Sequence, residues 1–289
     1  MHAAAAADAA LQHVRSLSTG PPVDRRWRVT LAFHPDAEVD GGSVLSRMVG
    51  DDRYRSQFET GTSNGGLTAH PGGARWAWEQ RIFGGAYDDA PPERRPVYGA
   101  LDHRGDPLGG APRFGSAYLR LREDVLDRST FCFPDSVREP RSFGTADSID
   151  LVAAAEAFRA APRDDALERA EGGLLDAYVE AHVHGGVVLG RDVEALVLDP
   201  SHREGPVGAL AQRLTLPVEW HEGRVLHVEE LRRHPDFRGI EAVRLGELIA
   251  EDDVLMARVV GERRRQGLED PQRLKELWHL VARFGSPAD

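Results

Sequence analysis

Apolar positions Leu11, Val14 and Leu17 in an alanine-rich start share one helical face and predict a leading helix over Ala3 to Leu17. Arg28 to Phe33, rich in β-branched and aromatic residues, reads as a strand ended by His34, Pro35 and Asp36. Val44 to Val49 and the run between Gly72 and Gly85 read as helices. Pro96 to Leu101, Gly115 to Leu121 and Thr130 to Phe133 read as strands. Strands joined without intervening helices predict antiparallel pairing. Helical patterning returns over Ile149 to Glu171, broken at Pro162, before two more strands at Tyr178 to Val183 and Val193 to Leu198. Pro206 to Leu216 reads as a helix, Arg224 to Pro235 as a strand and turn, and the remainder as charged helix packed through Leu231, Ile240, Leu245, Leu248 and Leu255. The expected fold is α+β, a mainly antiparallel sheet core with flanking helices at both ends. Its divisions are a helical lead over residues 1–27, a core over 28–201 and a mostly helical extension over 202–289 packed on the core.

Composition narrows the function classes. The chain has 289 residues, 41% hydrophobic and 29% charged, with a formal charge of −11. That describes a globular protein able to bury a core, and it disfavours a general nucleic-acid binder without excluding a local basic groove. One cysteine, Cys132, rules out an internal disulfide and a zinc site of several thiolates; its apolar setting, Thr-Phe-Cys-Phe, predicts a buried, inert thiol. No apolar run is long enough for a membrane span and no basic n-region opens the chain, so no membrane partner is expected. The expected location is the cytoplasm, or outside the cell as an effector exported without a classical signal peptide.

Chemistry concentrates in Tyr54 to Gly66, Tyr-Arg-Ser-Gln-Phe-Glu-Thr-Gly-Thr-Ser-Asn-Gly-Gly. Its glycines let backbone approach a ligand, while Thr60, Thr62, Ser63 and Asn64, beside Gly65, offer hydroxyl and amide groups suited to ribose and phosphate. Two more glycine-aromatic loops follow, at Phe83 to Tyr87 and Gly109 to Ser116. Three such loops suggest a built pocket. On the strand at Tyr178 to Val183, a period of two puts Glu180, His182 and His184 on one face, where ionisable groups are costly to hold without use. No Gly-Lys-Ser/Thr phosphate loop, dinucleotide glycine fingerprint or Gly-x-Ser-x-Gly elbow is present. A rival enzyme reading is a metal-dependent hydrolase or phosphoesterase in which His182 and His184 join Asp199, or His34 and Asp36, around zinc, iron or manganese. A silent binding module is the other alternative.

The segments Leu-Ala-Phe-His, Phe-Glu-Thr-Gly-Thr-Ser-Asn-Gly and Tyr-Val-Glu-Ala-His-Val-His-Gly-Gly-Val-Val-Leu before Asp-Val-Glu-Ala-Leu-Val-Leu resemble a bacterial domain-of-unknown-function family over most of Arg28 to Ser201. More distantly they resemble the ADP-ribosyltransferase superfamily. That second resemblance implies an ADP-ribosyltransferase-like sheet, NAD as substrate, no metal, and a macromolecular acceptor such as a protein. It implies Glu180 as the catalytic glutamate and His34 holding a ribose. Tyr54, Phe58 or Tyr98 would stack on nicotinamide, with a hydroxyl among Thr60, Thr62 and Ser63 beside it, or Tyr98 or Ser116 in that middle role. Asn64, Gly65 and His182 would complete the pocket, and Arg113 would meet the diphosphate as a bidentate donor. The chain departs from the superfamily pattern where a second acid is expected two residues before the glutamate: Tyr178 stands there.

Overall fold

The computed structural model describes residues 3–39, 41–61 and 68–288, so Thr62, Ser63, Asn64 and Gly65 of the glycine-hydroxyl loop lie outside the described residues. The fold is α+β, with an eight-stranded, mainly antiparallel sheet and helices around it. In chain order the sheet strands are β1 (Arg28–Phe33), β2 (Val97–Asp102), β3 (Ala117–Leu121), β4 (Ser129–Phe133), β5 (Ser142–Thr145), β6 (Val179–Val183), β7 (Val193–Leu198) and β8 (Val218–Trp220). Across the sheet they run β8-β7-β3-β1-β2-β6-β4-β5, with only β7 and β8 parallel.

Alternation along β1 explains the layering. Val29, Leu31 and Phe33 join the main apolar cluster with Leu101, Leu119, Phe131, Val179 and Val183, whereas Thr30 and Ala32 face the other way. All five residues of β6 are buried because both its faces are covered. On the second face the helix Ala74–Ile82 and the turn after it are clamped by the leading helix Ala3–Leu17, whose Ala6, Ala10 and Val14 pack on Ile82, Phe83 and Tyr87.

The C-terminal segment has its own cluster, built from Leu231, Phe237, Leu245, Leu255, Leu274, Leu277 and Leu280. Its last helix, Pro271–Phe284, opens on an Asp270 carboxylate that accepts from the Gln272 amide, with proline in the first turn where no amide hydrogen is needed. The Trp278 indole donates to the Pro112 carbonyl at 2.8 Å, which fastens this helix beside the sheet. The same segment supplies β8, the parallel edge strand. No helix among the described residues is long and apolar enough to cross a membrane.

Candidate functional site

The site begins with one rung of the sheet. Thr30 on β1 stands opposite Ala100 on β2, Ala100 opposite Glu180 on β6, and Glu180 opposite Cys132 on β4. Directly opposed residues of antiparallel strands point to the same face, so these four side chains share a floor. Thr30 and Ala100 on this floor and Ala32 beside them on β1 are small, and the sheet is left with a hollow of about 370 Å³. That is within the size range of ligand sites. Tyr54, Gln57, Thr60, His34, Arg47, Arg264, Tyr98, Arg75, Asp135, Tyr178 and Phe114 are among the residues that wall the hollow.

Glu180 is 6% exposed on this floor. Its Oε1 accepts from His182 Nε2 at 2.9 Å and from the Ser136 amide at 3.3 Å, and its Oε2 accepts from the Ser136 hydroxyl at 3.2 Å. Burial alone would push the carboxyl up. The His182 bond, the nearby Arg75 guanidinium and the Ser136 hydroxyl outweigh it and hold the group below the ordinary carboxylate range. Glu180 is therefore an ionised, immobilised carboxylate at neutral pH.

Behind it runs a buried polar chain. Thr130 Oγ1 lies 3.0 Å from His182 Nδ1 and 3.0 Å from His184 Nε2, and His184 Nδ1 lies 2.7 Å from the Tyr87 hydroxyl. An ionised carboxylate only accepts, so the donors order themselves towards it. Tyr87 donates to His184, His184 to Thr130, Thr130 to His182, and His182 to Glu180, which satisfies every atom along the way. Burial, with His182 and Arg128 nearby, drives the His184 pKa down to about 3.

The surroundings of the hollow also carry charge. Arg75, 4% exposed, lies 4.0 Å over the Tyr98 ring and donates to the Ser136 hydroxyl at 3.3 Å, tying aromatic wall to carboxylate. Below it Glu79 pairs with Arg95 at 2.6 Å and accepts from the Tyr98 hydroxyl at 3.2 Å; burial pushes its carboxyl up to about 7 against the pull of Arg95 and Arg75. Arg47 and Arg264 line the hollow without an ion pair to any carboxylate among the described residues, Arg47 donating only to the Val39 carbonyl. Burial lowers the Arg264 pKa despite Asp36 nearby. A half-buried cation without a partner is costly, and an anionic ligand would offset that cost.

Of the residues singled out from sequence, Glu180, His34, Tyr54, Thr60 and Tyr98 meet around this one hollow, and His182 stands directly behind Glu180. Burial pushes the Tyr54 hydroxyl up to about 12. His34 lies edge-on to Trp278, 5.2 Å between centroids, and burial with Arg264, His202 and His279 nearby keeps its imidazole neutral. Three expectations need correction. Arg113 is an ion-pair partner of Asp176, which also accepts from the Gly173 amide, so its guanidinium is spent on a turn and does not line the hollow. Phe58 is buried beneath the Arg95 guanidinium at 4.1 Å, outside the hollow's wall. Ser116 is buried at the head of β3, where its carbonyl accepts from His221 Nε2 at 2.9 Å.

The metal set proposed from sequence does not assemble either. Both ring nitrogens of His184 are engaged, and Asp199 follows β7, separated from β6 by β3, β1 and β2. Among the described residues, the ligand-type atoms within 4.8 Å of one another belong to Cys132, Glu180 and His182. Burial and the adjacent Glu180 and Asp135 carboxyls push the Cys132 thiol well up, which opposes thiolate formation.

Arg75, Asp135, Ser136, Arg47 and Arg264 were missed. The pair Asp135-Ser136 could have been suspected from its place just past a strand end, where rigid backbone meets a loop. Arg264 had no local signal, since it reaches the hollow from the helix Ala257–Gln266 at the far end of the chain.

Residues 28–169 and 160–284 match the model of a family described as "Protein of unknown function (DUF3626)". The chain is also similar to the Gene 2 protein of Mycobacterium phage L5, 27% identical over 164 residues, which make up 52% of this chain and 59% of the phage protein. For the Gene 2 protein of Mycobacterium phage D29 the figures are 28% over 166 residues, 53% and 60%. The match spans about three fifths of the length of each phage protein.

Proposed function

We propose that this chain, which belongs to the DUF3626 family, is an NAD-dependent ADP-ribosyltransferase acting on a macromolecule, with NAD hydrolysis as its side reaction. The observation that carries the reading is Glu180: an ionised carboxylate, fixed by His182 and Ser136 on the floor of a hollow whose walls also hold aromatic rings and two arginines, Arg47 and Arg264, with no ion pair to a carboxylate among the described residues. Breaking the bond between nicotinamide and ribose builds positive charge on the ribose carbon. A carboxylate already in place and already desolvated stabilises that charge without reorganising. Arg75 braces the Tyr98 ring, so an aromatic surface of fixed orientation is available to a nicotinamide or adenine ring. Arg47 and Arg264 suit a diphosphate.

Nicotinamide release from NAD by the purified chain tests the reading. Release that survives chelator and disappears in Glu180→Gln is expected. Release abolished by chelator would favour a metal enzyme built around the Cys132, Glu180 and His182 cluster. Absence of both release and an NAD-induced rise in melting temperature would defeat the proposal, because a ligand that binds only the folded state must stabilise it.

A further inference from the structure

Glu180 is not the only carboxyl at the hollow. Asp135, 7% exposed, lines it too, on the turn that follows β4. Its Oδ2 accepts from the Tyr178 hydroxyl at 2.7 Å, while its Oδ1 is buried with no hydrogen-bond partner among the described residues. Leaving a buried acceptor unpaired costs about 1–3 kcal/mol, and such groups call for an explanation. Asp135 lines the hollow and the terminal torsion of an aspartate is soft, so its unpaired oxygen is available to a ligand group there. The Tyr178 phenol, on β6 two residues before Glu180, holds this acid from the neighbouring strand's turn.

We propose that Asp135 is the base that takes the proton from the incoming acceptor, and that this acceptor is a neutral hydroxyl. The inference rests on the transferase reading. The bond from ribose C1′ to the nicotinamide nitrogen breaks, its electron pair leaving with nicotinamide. A lone pair of the acceptor oxygen forms the new bond to C1′, and the hydroxyl proton passes to Asp135. A hydroxyl enters neutral and gives up its proton as the new bond forms, which is the task of a carboxylate base. Arg53 and Arg55 are paired with Glu59 and Asp51, so the lining has no large excess of either sign to draw in a charged nucleophile. A carboxylate acceptor has no proton to lose and would leave Asp135 without a task.

The surroundings of Asp135 raise the proton affinity of its carboxyl above that of a free aspartate. Burial and Glu180 raise its pKa, while the Tyr178 hydroxyl from β6, Arg113 from the turn Pro112–Phe114 and Arg138 from the turn Ser136–Arg138 pull it back. Arg75 faces the adjoining Glu180 and Ser136. Two carboxyls in one hollow are thus pushed apart, Glu180 down and Asp135 up, the separation that divides labour between paired acids.

The experiment follows nicotinamide release and capture of ADP-ribose by added methanol, as a function of pH, in the wild type, Asp135→Asn and Tyr178→Phe. Methanol capture by Asp135→Asn is expected to fall by about 10²-fold or more and to lose its acid limb, with the NAD-induced thermal shift retained. Tyr178→Phe removes a bond that favours the ionised carboxyl, so its acid limb is expected to move to higher pH. Wild-type capture and an unmoved acid limb in both variants would overturn the role of Asp135 while leaving the transferase reading intact. A wild type that releases no nicotinamide at all would instead overturn the transferase reading itself.

Discussion

Glu180 and His182 stand two positions apart on one strand, and the imidazole donates to the carboxylate along the sheet face at 2.9 Å. The period of two aligns them, and the small residues opposite Glu180, Ala100 and Cys132, leave its carboxylate exposed to the hollow instead of packed over. The carboxylate and its histidine support therefore come from a single rigid element, and the Ser136 turn adds the remaining bonds.

From that relationship, Glu180→Gln keeps the shape of the side chain and removes its charge. Turnover of NAD is expected to fall by about 10²–10³-fold, the scale of losing one preorganised electrostatic contact at a developing charge. KM for NAD is expected to change little, since the charge that Glu180 answers appears only in the transition state. A variant that lost affinity but kept kcat would contradict this.

Thr130 is the hinge of the polar chain, because its one hydroxyl serves both imidazoles. In Thr130→Val the volume is kept, but His182 Nδ1 and His184 Nε2 are left unpaired in a fully buried place. With about 1–3 kcal/mol for each of the two orphaned groups, the variant is expected to lose about 2–6 kcal/mol. A lower urea midpoint at unchanged slope would register the loss, and Thr130→Ser is expected to recover most of it.

Acid should attack the same chain. His184 has a folded pKa of about 3 against 6.5 unfolded, so between these values the unfolded chain binds a proton that the folded one refuses. Stability contributed by neutral His184 is complete above pH 6.5 and is lost as pH falls below it. The loss is at most about 1.4 kcal/mol per pH unit. Melting temperature measured from pH 7 to pH 4 is expected to drop with a slope that flattens in His184→Asn. Equal slopes in the two proteins would show that other groups dominate acid unfolding.

The legibility of the fold and of the site differed for physical reasons. β1 was readable to the residue because Val29, Leu31 and Phe33 alternate with Thr30 and Ala32 over six positions. β5, Ser-Phe-Gly-Thr, and β8, Val-Glu-Trp, are too short to show a period, and both exist through pairing with β4 and β7. At the site, Glu180 and His182 were visible because strand geometry alone relates them. Arg75, Asp135 and Arg264 converge from a helix, a turn and the C-terminal segment, a tertiary relation with no local pattern. Arg113 misled for the complementary reason: its partner Asp176 lies sixty-three positions away, invisible in the glycine loop that drew attention to it.

Arg47 and Arg264 give the last prediction. They approach the hollow from the helix Val44–Asp51 and the helix Ala257–Gln266, and neither pairs with a carboxylate among the described residues. If they hold the diphosphate of NAD, each contributes to ground state and transition state alike, and the effect of removing one falls on KM. Arg264→Ala is expected to raise KM by about 10- to 150-fold with kcat nearly unchanged, from loss of one charge-assisted bond of about 1.5–3 kcal/mol. Raising ionic strength should weaken NAD binding to the wild type more than to the variant, because screening acts on a charge the variant no longer has. A fall in kcat at constant KM would place Arg264 at the reacting centre instead, on the acceptor side.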